Sequence, residues 1–425
     1  MSEARTIAVG YTQAGLASLN ALRPAGSIIV IEEPAVVARR GIEVAVAALP
    51  GVNRVIAACH TDPAALDAIH SALAREVVAS VVPLNEYGTP AAAYLSEFFG
   101  VPGAGYEAAR TLRDKHLLRR VSEAGGIRNP RSKPVASLAE ARAFAADLGR
   151  PVILKPRNRQ ASVGTVIVRN PADLVAAWDI CQARDEGVLE PQTALPPLTL
   201  VEEFVEGREF SVEALIRDGN LLFANVTAKS LYPGDRPIER MHLVPADLAP
   251  NDYARLVADT ARLVTVTGFG TGIVHCEWLM NRGVPHLVEC AGRFAGDGII
   301  DLICRAWGFD IVAAYHALMR GEDTGILPER PRKAALVRFL DAPEGRVRQV
   351  IRDEVALAAP GIKQVHISVK PGDLVAPLVS SWQRPGSVTI EADDAAAARR
   401  LAEVAAAAIT IACEPEQELA DVATH

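Results

Sequence analysis

The most informative stretch of the chain reads His286-Leu-Val-Glu-Cys-Ala-Gly-Arg-Phe-Ala-Gly-Asp-Gly-Ile299. It places a carboxylate, Glu289, at the end of an apolar strand and an arginine, Arg293, four residues later in a glycine-rich loop. A second apolar run, residues 273–280, precedes this stretch and contains Glu277. The Asn-Arg-Gly-Val sequence between the runs predicts a hairpin turn, so the two runs should pair as antiparallel strands.

A hairpin centred on Gly283 places Glu277 directly opposite Glu289, because both residues are equally far from that glycine. Paired side chains in such a ladder lie about 5 Å apart, where two carboxylates repel each other. The pair makes chemical sense if a divalent cation lies between them, since hard cations take carboxylate oxygens. Arg293 could then hold a phosphoryl group during transfer. The alternative is two solvated carboxylates and a surface arginine, which the apolar setting disfavours.

Size and composition narrow the class of protein. The chain has 425 residues, which predicts about two to four domains of roughly 150 residues each. Half of the residues are hydrophobic, so the chain can bury a substantial core. A net charge of −7 argues against a general nucleic-acid surface. The six cysteines form no Cys-x-x-Cys pair, which indicates reduced core residues rather than a zinc site or disulfide framework.

The sequence gives no sign of secretion or membrane insertion. The N-terminal residues enter a short strand without a long apolar stretch, so no signal peptide is predicted. No run reaches the roughly 20 apolar residues that span a bilayer. The chain is therefore predicted to be a soluble cytoplasmic protein, with no nucleic-acid and no membrane partner.

The first predicted domain, residues 1–110, alternates strand and helix patterns, which indicates a parallel sheet with helices on both faces. The predicted strands are residues 6–9, 27–31, 54–57 and 77–83, and the predicted helices are 15–22, 36–48 and 63–74. Gly10 to Gly15 follow the first strand and Glu32 ends the second, which is also typical of a dinucleotide site. Their spacing does not fit Gly-x-Gly-x-x-Gly, so the favoured interpretation is a simple turn.

The remaining chain divides into a small α/β lid, residues 111–204, and an antiparallel domain, residues 205–425. The lid is predicted to contain a helix at 110–123, a capping box at Ser137-Leu-Ala-Glu140, strands at 152–155, 165–168 and 198–201, a helix from Asn170 to about 184, and a loop at 191–197. The last domain is predicted to contain strands at 209–216 and 221–228 and helices at 251–267 and 395–407. Arg338, in an apolar strand, could face a site.

Two segments of the lid region are candidate nucleotide contacts. Lys155 ends an apolar strand and is followed by a loop with small residues, Ser162-Val163-Gly164. Such a loop lets backbone N–H groups approach phosphates while lysine acts as a point charge, although its sequence is not that of a P-loop. Residues 202–209 form an acidic linker that can offer backbone groups to adenine and Glu209 to a ribose. Taken alone, each segment is more often a solvated turn or bend.

In chain order these signals resemble the ATP-grasp family, over residues 1 to about 300 and more loosely in the tail. The resemblance implies ATP as cofactor, with the phosphates held by Lys115, Lys155 and the loop. Glu202 and Val205 would meet adenine through the backbone, with a side-chain contribution from Glu202 left open, and Glu209 would bind the ribose.

The resemblance also assigns the metal site. Glu277 and Glu289 would bind Mg²⁺, with Mn²⁺ as an alternative ion. Many family members carry asparagine two residues after the second metal glutamate, where this chain has Ala291. The third ligand therefore stays open, and water or a substrate oxygen could supply it.

Within the family, residues 289–296 look most like the L-amino-acid ligases of the bacilysin-synthetase type, which make dipeptides. His275 and the segment 239–246 resemble the same group. The resemblance implies that Glu239 and His242 contact the amino or carboxylate groups of the substrate. Asp297 stands where such ligases can carry a bulky pocket wall, which suggests a roomier or more polar pocket. The resemblance is compatible with a homodimer, although the sequence does not identify an interface.

The resemblance implies a two-step reaction. A substrate carboxylate takes the γ-phosphate of ATP to give an acyl phosphate, and an amine then displaces phosphate, with Arg293 stabilising the transferring charge. Two alternatives stay open: another acyl-phosphate reaction, of the bicarbonate or purine-precursor type, and a non-catalytic nucleotide-binding module. The sequence names neither the two substrates nor the base that deprotonates the amine.

Overall fold

The N-terminal part of the molecule is built on a four-stranded parallel sheet. The computed structural model describes residues 4–183 and 198–415. The strands are β1 Arg5–Val9, β2 Ile28–Glu32, β3 Val52–Ala57 and β4 Val78–Pro83, in the order β3-β2-β1-β4. All four strands fall where alternation in the sequence predicts them.

Five helices connect and cover this sheet: α1 Gln13–Leu22, α2 Pro34–Arg40, α3 Ile42–Val46, α4 Leu66–Leu73 and α5 Thr89–Phe99. The prediction of one helix over residues 36–48 is wrong, because Gly41 adopts a left-handed conformation with φ of 55° and ends α2. A glycine has no Cβ that would oppose this conformation, so the break is local and encoded in the sequence.

A second predicted helix, residues 110–123, is also two helices. These are α6 Tyr106–Arg113 and α7 Lys115–Ala124. Asp114 between them is extended, and its carboxylate accepts hydrogen bonds from the backbone N–H groups of His116 and Leu117. An aspartate that caps a helix in this way satisfies donors that have no partner inside the helix. As a consequence, Lys115 is the first residue of α7.

The next part is a small four-stranded antiparallel sheet with two helices. Its elements are β5 Ser132–Val135, α8 Leu138–Leu148, β6 Val152–Pro156, β7 Val166–Val168, α9 Leu174–Gln182 and β8 Thr199–Glu203. The strand order is β5-β8-β6-β7. Ser137 caps α8 as predicted, but Glu140 accepts from the N–H of Ala136 rather than completing the capping box on Ser137. The predicted loop at 191–197 and the helix end at 184 lie outside the described residues.

The C-terminal half contains a large antiparallel sheet. The elements of the C-terminal half, in chain order, are β9 Arg208–Arg217, β10 Asn220–Leu231, β11 Glu239–Val244, α10 Pro250–Thr267, β12 Gly272–Asn281, β13 Val284–Ala291, α11 Ile299–Trp307, α12 Ile311–Met319, β14 Ala334–Phe339, β15 Gly345–Arg352, α13 Glu354–Leu357, β16 Ile362–Ile367, β17 Leu374–Val375, β18 Gly386–Ala392, α14 Ala395–Ala407 and β19 Ile409–Glu414. Eight strands form the sheet in the order β13-β12-β9-β10-β11-β14-β18-β16, and β17-β15-β19 form a separate one.

The two faces of the large sheet bury different partners. One face contributes Phe210 and Trp278 to a core shared with α10 and α14. The other face contributes Leu215 to a core shared with α11, α12 and the N-terminal sheet. Because successive side chains of a strand point to opposite faces, the polar residues of β9, β10 and β12 come together on the second face. That face carries the candidate site.

The predicted pairing of Glu277 with Glu289 across β12 and β13 is confirmed, although the turn differs from the expected one. The turn is a tight two-residue turn, Arg282-Gly283, with φ of 47° and 77°. Such a turn alone would pair Glu277 with the residue before Glu289. A β-bulge, in which Val288 has no partner opposite it, shifts the register by one and restores the pair.

The predicted domain boundaries at residues 110 and 204 stay predictions, and α6 runs across the first of them. Among the described residues, no helix is long and apolar enough to cross a membrane. All six cysteines are free thiols, and Cys276 and Cys290 are buried on the core face of the hairpin, as the alternation predicts.

Candidate active site

A cavity of about 510 Å³ lies between the small sheet and the large sheet. Most of the residues that the sequence identifies as site candidates line it: Lys115, Lys155, Ser162, Val163, Glu202, Val205, Glu209, Glu239, Glu277 and Glu289. The other three, Gly164, His242 and Arg293, lie outside its lining. The structure thus brings segments from three parts of the chain to one cleft.

A buried ion-pair group fixes Lys155 in this cleft. The carboxylate of Glu202 lies 2.5 Å from Lys155 Nζ and accepts two hydrogen bonds from Arg119, at 2.7 and 3.2 Å. Burial alone would raise the pKa of Glu202, but Arg119 and Lys155 hold it below its usual value. Burial lowers the pKa of Lys155, and Glu202 opposes that shift. The carboxylate of Glu202 therefore positions Lys155, and Arg119, from α7, is a member of the site that the sequence analysis missed.

Lys115 reaches the cleft from the first turn of α7. Its Nζ lies 2.9 Å from Glu289 Oε2 and donates a hydrogen bond of 2.8 Å to the carbonyl of Arg159. The break at Asp114 starts a new helix at this residue, and Asp114 is itself paired with Arg157 at 2.6 Å. Lys115 and Glu289, assigned to phosphate and metal respectively, are therefore in direct contact.

Lys229, at the end of β10, lies among three carboxylates. Its Nζ is 3.4 Å from Glu209, 3.6 Å from Glu239, and hydrogen-bonded to Glu277. Burial alone would lower the pKa of Lys229, but the three carboxylates hold it well above its usual value. Burial raises the pKa of Glu209 to about 7, an increase that Lys229 opposes. The ammonium group thus remains charged and balances part of the acidic cluster.

Sequence analysis did not identify Lys229, although a signal was present. Asn225, Thr227 and Lys229 alternate along β10, so they share one face of the sheet, and Asn225 and Thr227 both hydrogen-bond Glu213 there. A lysine that continues a buried polar stripe needs a carboxylate partner, because an unpaired buried charge is costly.

Glu277 is held on its other side by a histidine. His275 Nε2 lies 3.2 Å from Glu277 Oε1, and His275 Nδ1 lies 2.9 Å from Glu213 Oε1. Burial would lower the pKa of His275, but hydrogen bonds to Glu213 and Glu277 raise it to about 9. Burial would likewise raise the pKa of Glu277, yet Lys229 and His275 hold it well below its usual value. Glu277 is therefore an ionised carboxylate between two cations.

The donor atoms of this cluster suit a divalent cation. Carboxylate oxygens of Glu209, Glu239 and Glu277 lie within 4.8 Å of one another, and oxygen ligands are those that Mg²⁺ prefers. This grouping differs from the predicted pair, since Glu289 lies against Lys115 rather than in the cluster. Glu209 and Glu239, predicted to bind ribose and substrate, are the neighbours of Glu277. The roles of all four carboxylates stay predictions.

Arg293 is anchored to the N-terminal part of the molecule. Its Nε donates a hydrogen bond of 2.5 Å to Glu86, and its Nη1 donates one of 2.7 Å to the carbonyl of Phe294. Glu86 is buried, and Arg113 lies 3.9 Å from its other oxygen. Sequence analysis missed Glu86. It lies three residues after the end of β4, at the edge where the carboxyl ends of parallel strands meet and ligands commonly bind.

Glu239 and His242 lie at a third group of polar side chains. His242 Nε2 is 3.1 Å from Asp297 Oδ2, and Arg384 binds both carboxylate oxygens of Asp297. Ser381 donates a hydrogen bond of 3.1 Å to Glu239. His242 and Arg384 both contact the carboxylate of Asp297, so its surroundings are polar, and a roomier pocket at Asp297 stays a prediction. Sequence analysis also missed Arg384.

A bulge in β11 and the position of Arg338 refine the predictions. In the pairing of β10 with β11, His242 lies opposite Lys229 and Arg240 has no partner. Because this bulge shifts the alternation of side chains by one residue, Glu239 can approach Lys229. Arg338 does not face the cleft: it lies on the α14 side of the sheet, where it contacts Asp341 and Glu403 at 2.8 and 3.6 Å. The suggestion that Arg338 faces the site is therefore wrong.

Comparison with known proteins identifies two domains in the chain. Residues 148–301 match the model of the ATP-grasp domain, and residues 338–414 match that of L-amino acid ligase C-terminal domain 2. The fold is similar to a crystal structure of an L-amino acid ligase from Bacillus licheniformis, with a TM-score of 0.76 and 17% identity over 97% of this chain and 99% of that one. These matches confirm the predicted fold class and family resemblance.

Curated relatives carry the names of ligases. The chain is 25% identical over 293 residues to the alanine–anticapsin ligase of Bacillus subtilis, which covers 62% of each chain. It is 30% identical over 226 residues to the D-alanine–D-alanine ligase of Marinobacter nauticus, which covers 48% of this chain and 66% of that one. The match thus spans less than two thirds of the length of each of these relatives.

Proposed function

We propose that this chain, which combines an ATP-grasp domain with an L-amino acid ligase C-terminal domain, is an ATP-dependent carboxylate–amine ligase. It would activate the carboxylate of an amino acid, or of a similar acid, as an acyl phosphate. It would then join that acyl group to an amine, such as a second amino acid, and release ADP and phosphate. The partners are small molecules, with ATP and Mg²⁺ as cofactors; a homodimer and a cytoplasmic location stay predictions.

One observation carries the proposal: in one cleft, each of three lysines is paired with one or more glutamates. Lys155 and Lys115 are positioned by Glu202 and Glu289, and Lys229 is surrounded by its three carboxylates. A nucleoside triphosphate with a divalent cation carries negative phosphates and a positive metal ion. It can therefore replace each ion pair between a lysine and a glutamate with contacts to the ligand. Lysines can then turn to phosphate oxygens, and carboxylates can turn to the metal ion.

The first step requires the γ-phosphate and the substrate carboxylate to approach although both are negatively charged. Lys115 and Lys155 would neutralise the phosphates, and Arg293 would stabilise the charge on the phosphoryl group as it moves. A divalent cation, held by Glu277 and Glu289 with help from the neighbouring carboxylates, supplies charge neutralisation and alignment of phosphate oxygens. Each contribution is positional and electrostatic, which is how phosphoryl transfer is generally catalysed.

The second step requires a free amine beside the acyl phosphate and the exclusion of water. Glu239 and His242 would bind amino or carboxylate groups of the substrates. Glu239 lines the cleft and accepts a hydrogen bond from Ser381, whereas His242 is buried and hydrogen-bonded to Asp297. The small sheet, with the loop that carries Ser162, covers the cleft from above and would limit hydrolysis of the intermediate.

A coupled assay of ADP release tests the proposal, using all pairs of the twenty amino acids and a set of simple amines. We expect release that depends on both a carboxylate and an amine, and hydroxylamine should trap the activated acid as a hydroxamate. Replacing Glu289 by alanine should reduce the rate by at least about a hundredfold. The exposed Glu344→Ala variant serves as control.

Two results would overturn the proposal. ATP binding by calorimetry without ADP release from any pair would point to a nucleotide-binding module. Release with bicarbonate or a purine precursor alone would assign the other acyl-phosphate chemistry. A fully active Glu289→Ala variant would remove Glu289 from the metal site.

A further inference from the structure

Two features of the N-terminal domain have no role in the nucleotide, metal or substrate assignments. They are the turn that starts at Gly10, after β1, and Glu32, at the end of β2. Their sequence pattern partly matches a dinucleotide site. In the structure, however, the side chain of Glu32 is only 2% exposed and its carboxylate is already bound by groups of the chain itself.

Glu32 ties together the carboxyl ends of three strands. Its Oε1 accepts hydrogen bonds of 2.8 Å from the backbone N–H of Glu33 and from His60 Nε2, and its Oε2 accepts one of 3.4 Å from Asn85 Nδ2. His60 follows β3 and Asn85 follows β4. A buried carboxylate is tolerated only where donors satisfy it, so these bonds fix the relative positions of the three loops.

Asn85 is also confined by two glycines. A Cβ at Gly10 would lie 2.5 Å from the amide atoms of the Asn85 side chain, so only glycine leaves room for that amide. Gly88 donates its N–H to Asn85 Oδ1 at 2.9 Å, and a Cβ at Gly88 would lie 2.5 Å from the carbonyl oxygen of Val9. The amide is thus held between β1, Glu32 and its own loop, with little freedom to rotate.

The neighbour of Asn85 is Glu86, which holds Arg293. The carboxylate of Glu86 lies 2.5 Å from Arg293 Nε, although the two residues are 207 positions apart in the chain. Glu86 is itself buried, so it cannot adjust freely if its backbone moves. A continuous set of contacts therefore runs from Glu32, through Asn85 and Glu86, to Arg293. Burial alone would lower the pKa of Arg293, but Glu86, and also the charges of Glu289 and Glu277 in the cleft, raise it.

We propose that Glu32, together with His60 and Asn85, is a positioning residue for Arg293. The network sets the place of the Glu86 carboxylate, and that carboxylate sets the position of the Arg293 guanidinium. The catalytic part of this inference rests on the proposed function, because it assumes that Arg293 acts on a transferring phosphoryl group. The structural part does not.

The main test uses the full chain with Glu32→Gln, which keeps the shape of the side chain but turns one acceptor oxygen into a donor amide. We expect kcat for ADP release to fall about tenfold to a hundredfold, as misplacement of a catalytic group by a fraction of an ångström can produce. The KM for ATP should stay within about twofold, since the nucleotide contacts lie elsewhere. The exposed Glu43→Gln variant on α3 is the matched control.

A double-mutant cycle separates positioning from an independent effect. Glu86→Gln should lower kcat at least as much as Glu32→Gln, and the double variant should be no slower than Glu86→Gln alone. Multiplicative losses would mean that Glu32 acts by another route, and they would overturn the proposal. So would a Glu32→Gln variant with unchanged kcat.

Amide hydrogen exchange provides a readout that does not depend on turnover. In the Glu32→Gln variant, exchange should rise at least tenfold in residues 84–88 and in 292–298, and stay unchanged in β9 and β12. If the exchange rates of the variant equal those of the parent protein, the positioning proposal is overturned even if activity is lost. If the exchange rates rise as expected but the parent protein shows no turnover, the positioning proposal stands and the proposed function is rejected. If Glu32→Gln does not fold, Asn85→Asp breaks the same contact and is read in the same way.

Discussion

Single side chains in the cleft are organised as compensated charges. Lys229 is surrounded by Glu209, Glu239 and Glu277, and Lys155 is held by Glu202. Removing one partner of a buried ion pair leaves an uncompensated charge, which is far more costly than removing both. The cleft can therefore keep several charged groups out of water in the absence of ligand. The same pairing keeps the groups ready for a nucleotide and a metal ion.

Replacing Lys229 by methionine tests this compensation. The side chain keeps its approximate length, but the three carboxylates lose their common cation. We expect the free energy of unfolding to fall by about 3 kcal/mol at pH 8, as for one broken buried ion pair. Urea unfolding monitored by circular dichroism measures the change, with the exposed Lys133→Met as control.

The fall in the free energy of unfolding that Lys229→Met causes should become smaller as the pH is lowered from 8 toward 6. The pKa of Glu209 is already raised to about 7 in the parent protein, and it should rise further without Lys229. A raised carboxyl pKa means that the folded state binds a proton before the unfolded state does, so lowering the pH stabilises the folded state. A loss below about 1 kcal/mol at pH 8 would contradict the compensation.

At the scale of elements, small interruptions place the functional groups. The break between α6 and α7 brings Lys115 to a helix start, and the bulge at Val288 turns Glu289 to face Glu277. The carbonyl of Val288 accepts a hydrogen bond of 2.7 Å from Arg119, so the bulge is used in the packing of α7 against the hairpin. Regular elements alone would have placed these side chains elsewhere.

Asp114→Ala tests the helix break. The substitution removes the cap of α7 and the ion pair with Arg157, so the free energy of unfolding should fall by about 1–2 kcal/mol. We also expect weaker binding of ATP, because Lys115 would lose its fixed starting position. Chemical unfolding and calorimetric titration with ATP measure the two effects.

Asp353→Ala is the matched control for Asp114→Ala. Asp353 caps α13 through the backbone N–H groups of Val355 and Ala356, so the same kind of cap is lost away from the residues that line the cleft. Its loss should leave ATP affinity unchanged. Equal weakening of ATP binding by both variants would mean that the break has no specific role.

At the scale of the whole molecule, the cleft lies between the small sheet and the large sheet, and the N-terminal sheet packs against the large sheet outside the residues that line the cleft. The N-terminal sheet and the large sheet share one core, in which Leu16 and Val30 lie with Leu215 and Ile303. That packing brings Glu86 to Arg293, and the small sheet adds Lys155 from the opposite side. Loosening the shared core should therefore affect the cleft and the fold together.

Acid should weaken this shared core through His316 on α12. The ring is 3% exposed, and burial, with the nearby Arg320 and Arg23, lowers its pKa to about 4. The unfolded chain binds the proton near pH 6.5 and the folded chain only near 4, so stability is lost as the pH falls between these values. From pH 7 to pH 5 we expect a loss of about 2 kcal/mol from this residue.

Unfolding of a His316→Gln variant at both pH values measures that contribution. The variant should lose about 2 kcal/mol less than the parent protein between pH 7 and pH 5. The exposed His366→Gln variant should keep the full dependence of the parent. An identical dependence in the parent and in His316→Gln would show that another group controls the acid response.

The register that sets Glu277 opposite Glu289 depends on the bulge at Val288. The sequence by itself determined most of the elements, the order of the family signals and the hairpin that pairs the two strands. These features depend on periodicity, turn chemistry and caps, which act over a few residues. Even there, Gly41 and Asp114 interrupted predicted helices, because a single residue can end a helix that its neighbours favour.

Only the tertiary structure decided which charges meet. Glu86 and Arg293 are 207 positions apart, Arg119 and Glu202 are 83, and Lys229 and Glu277 are 48. Alternation along a strand tells which face a side chain occupies, but not which distant residue lies opposite. That choice is made when the sheets pack, because a buried charge must then find the partner that offsets its loss of water.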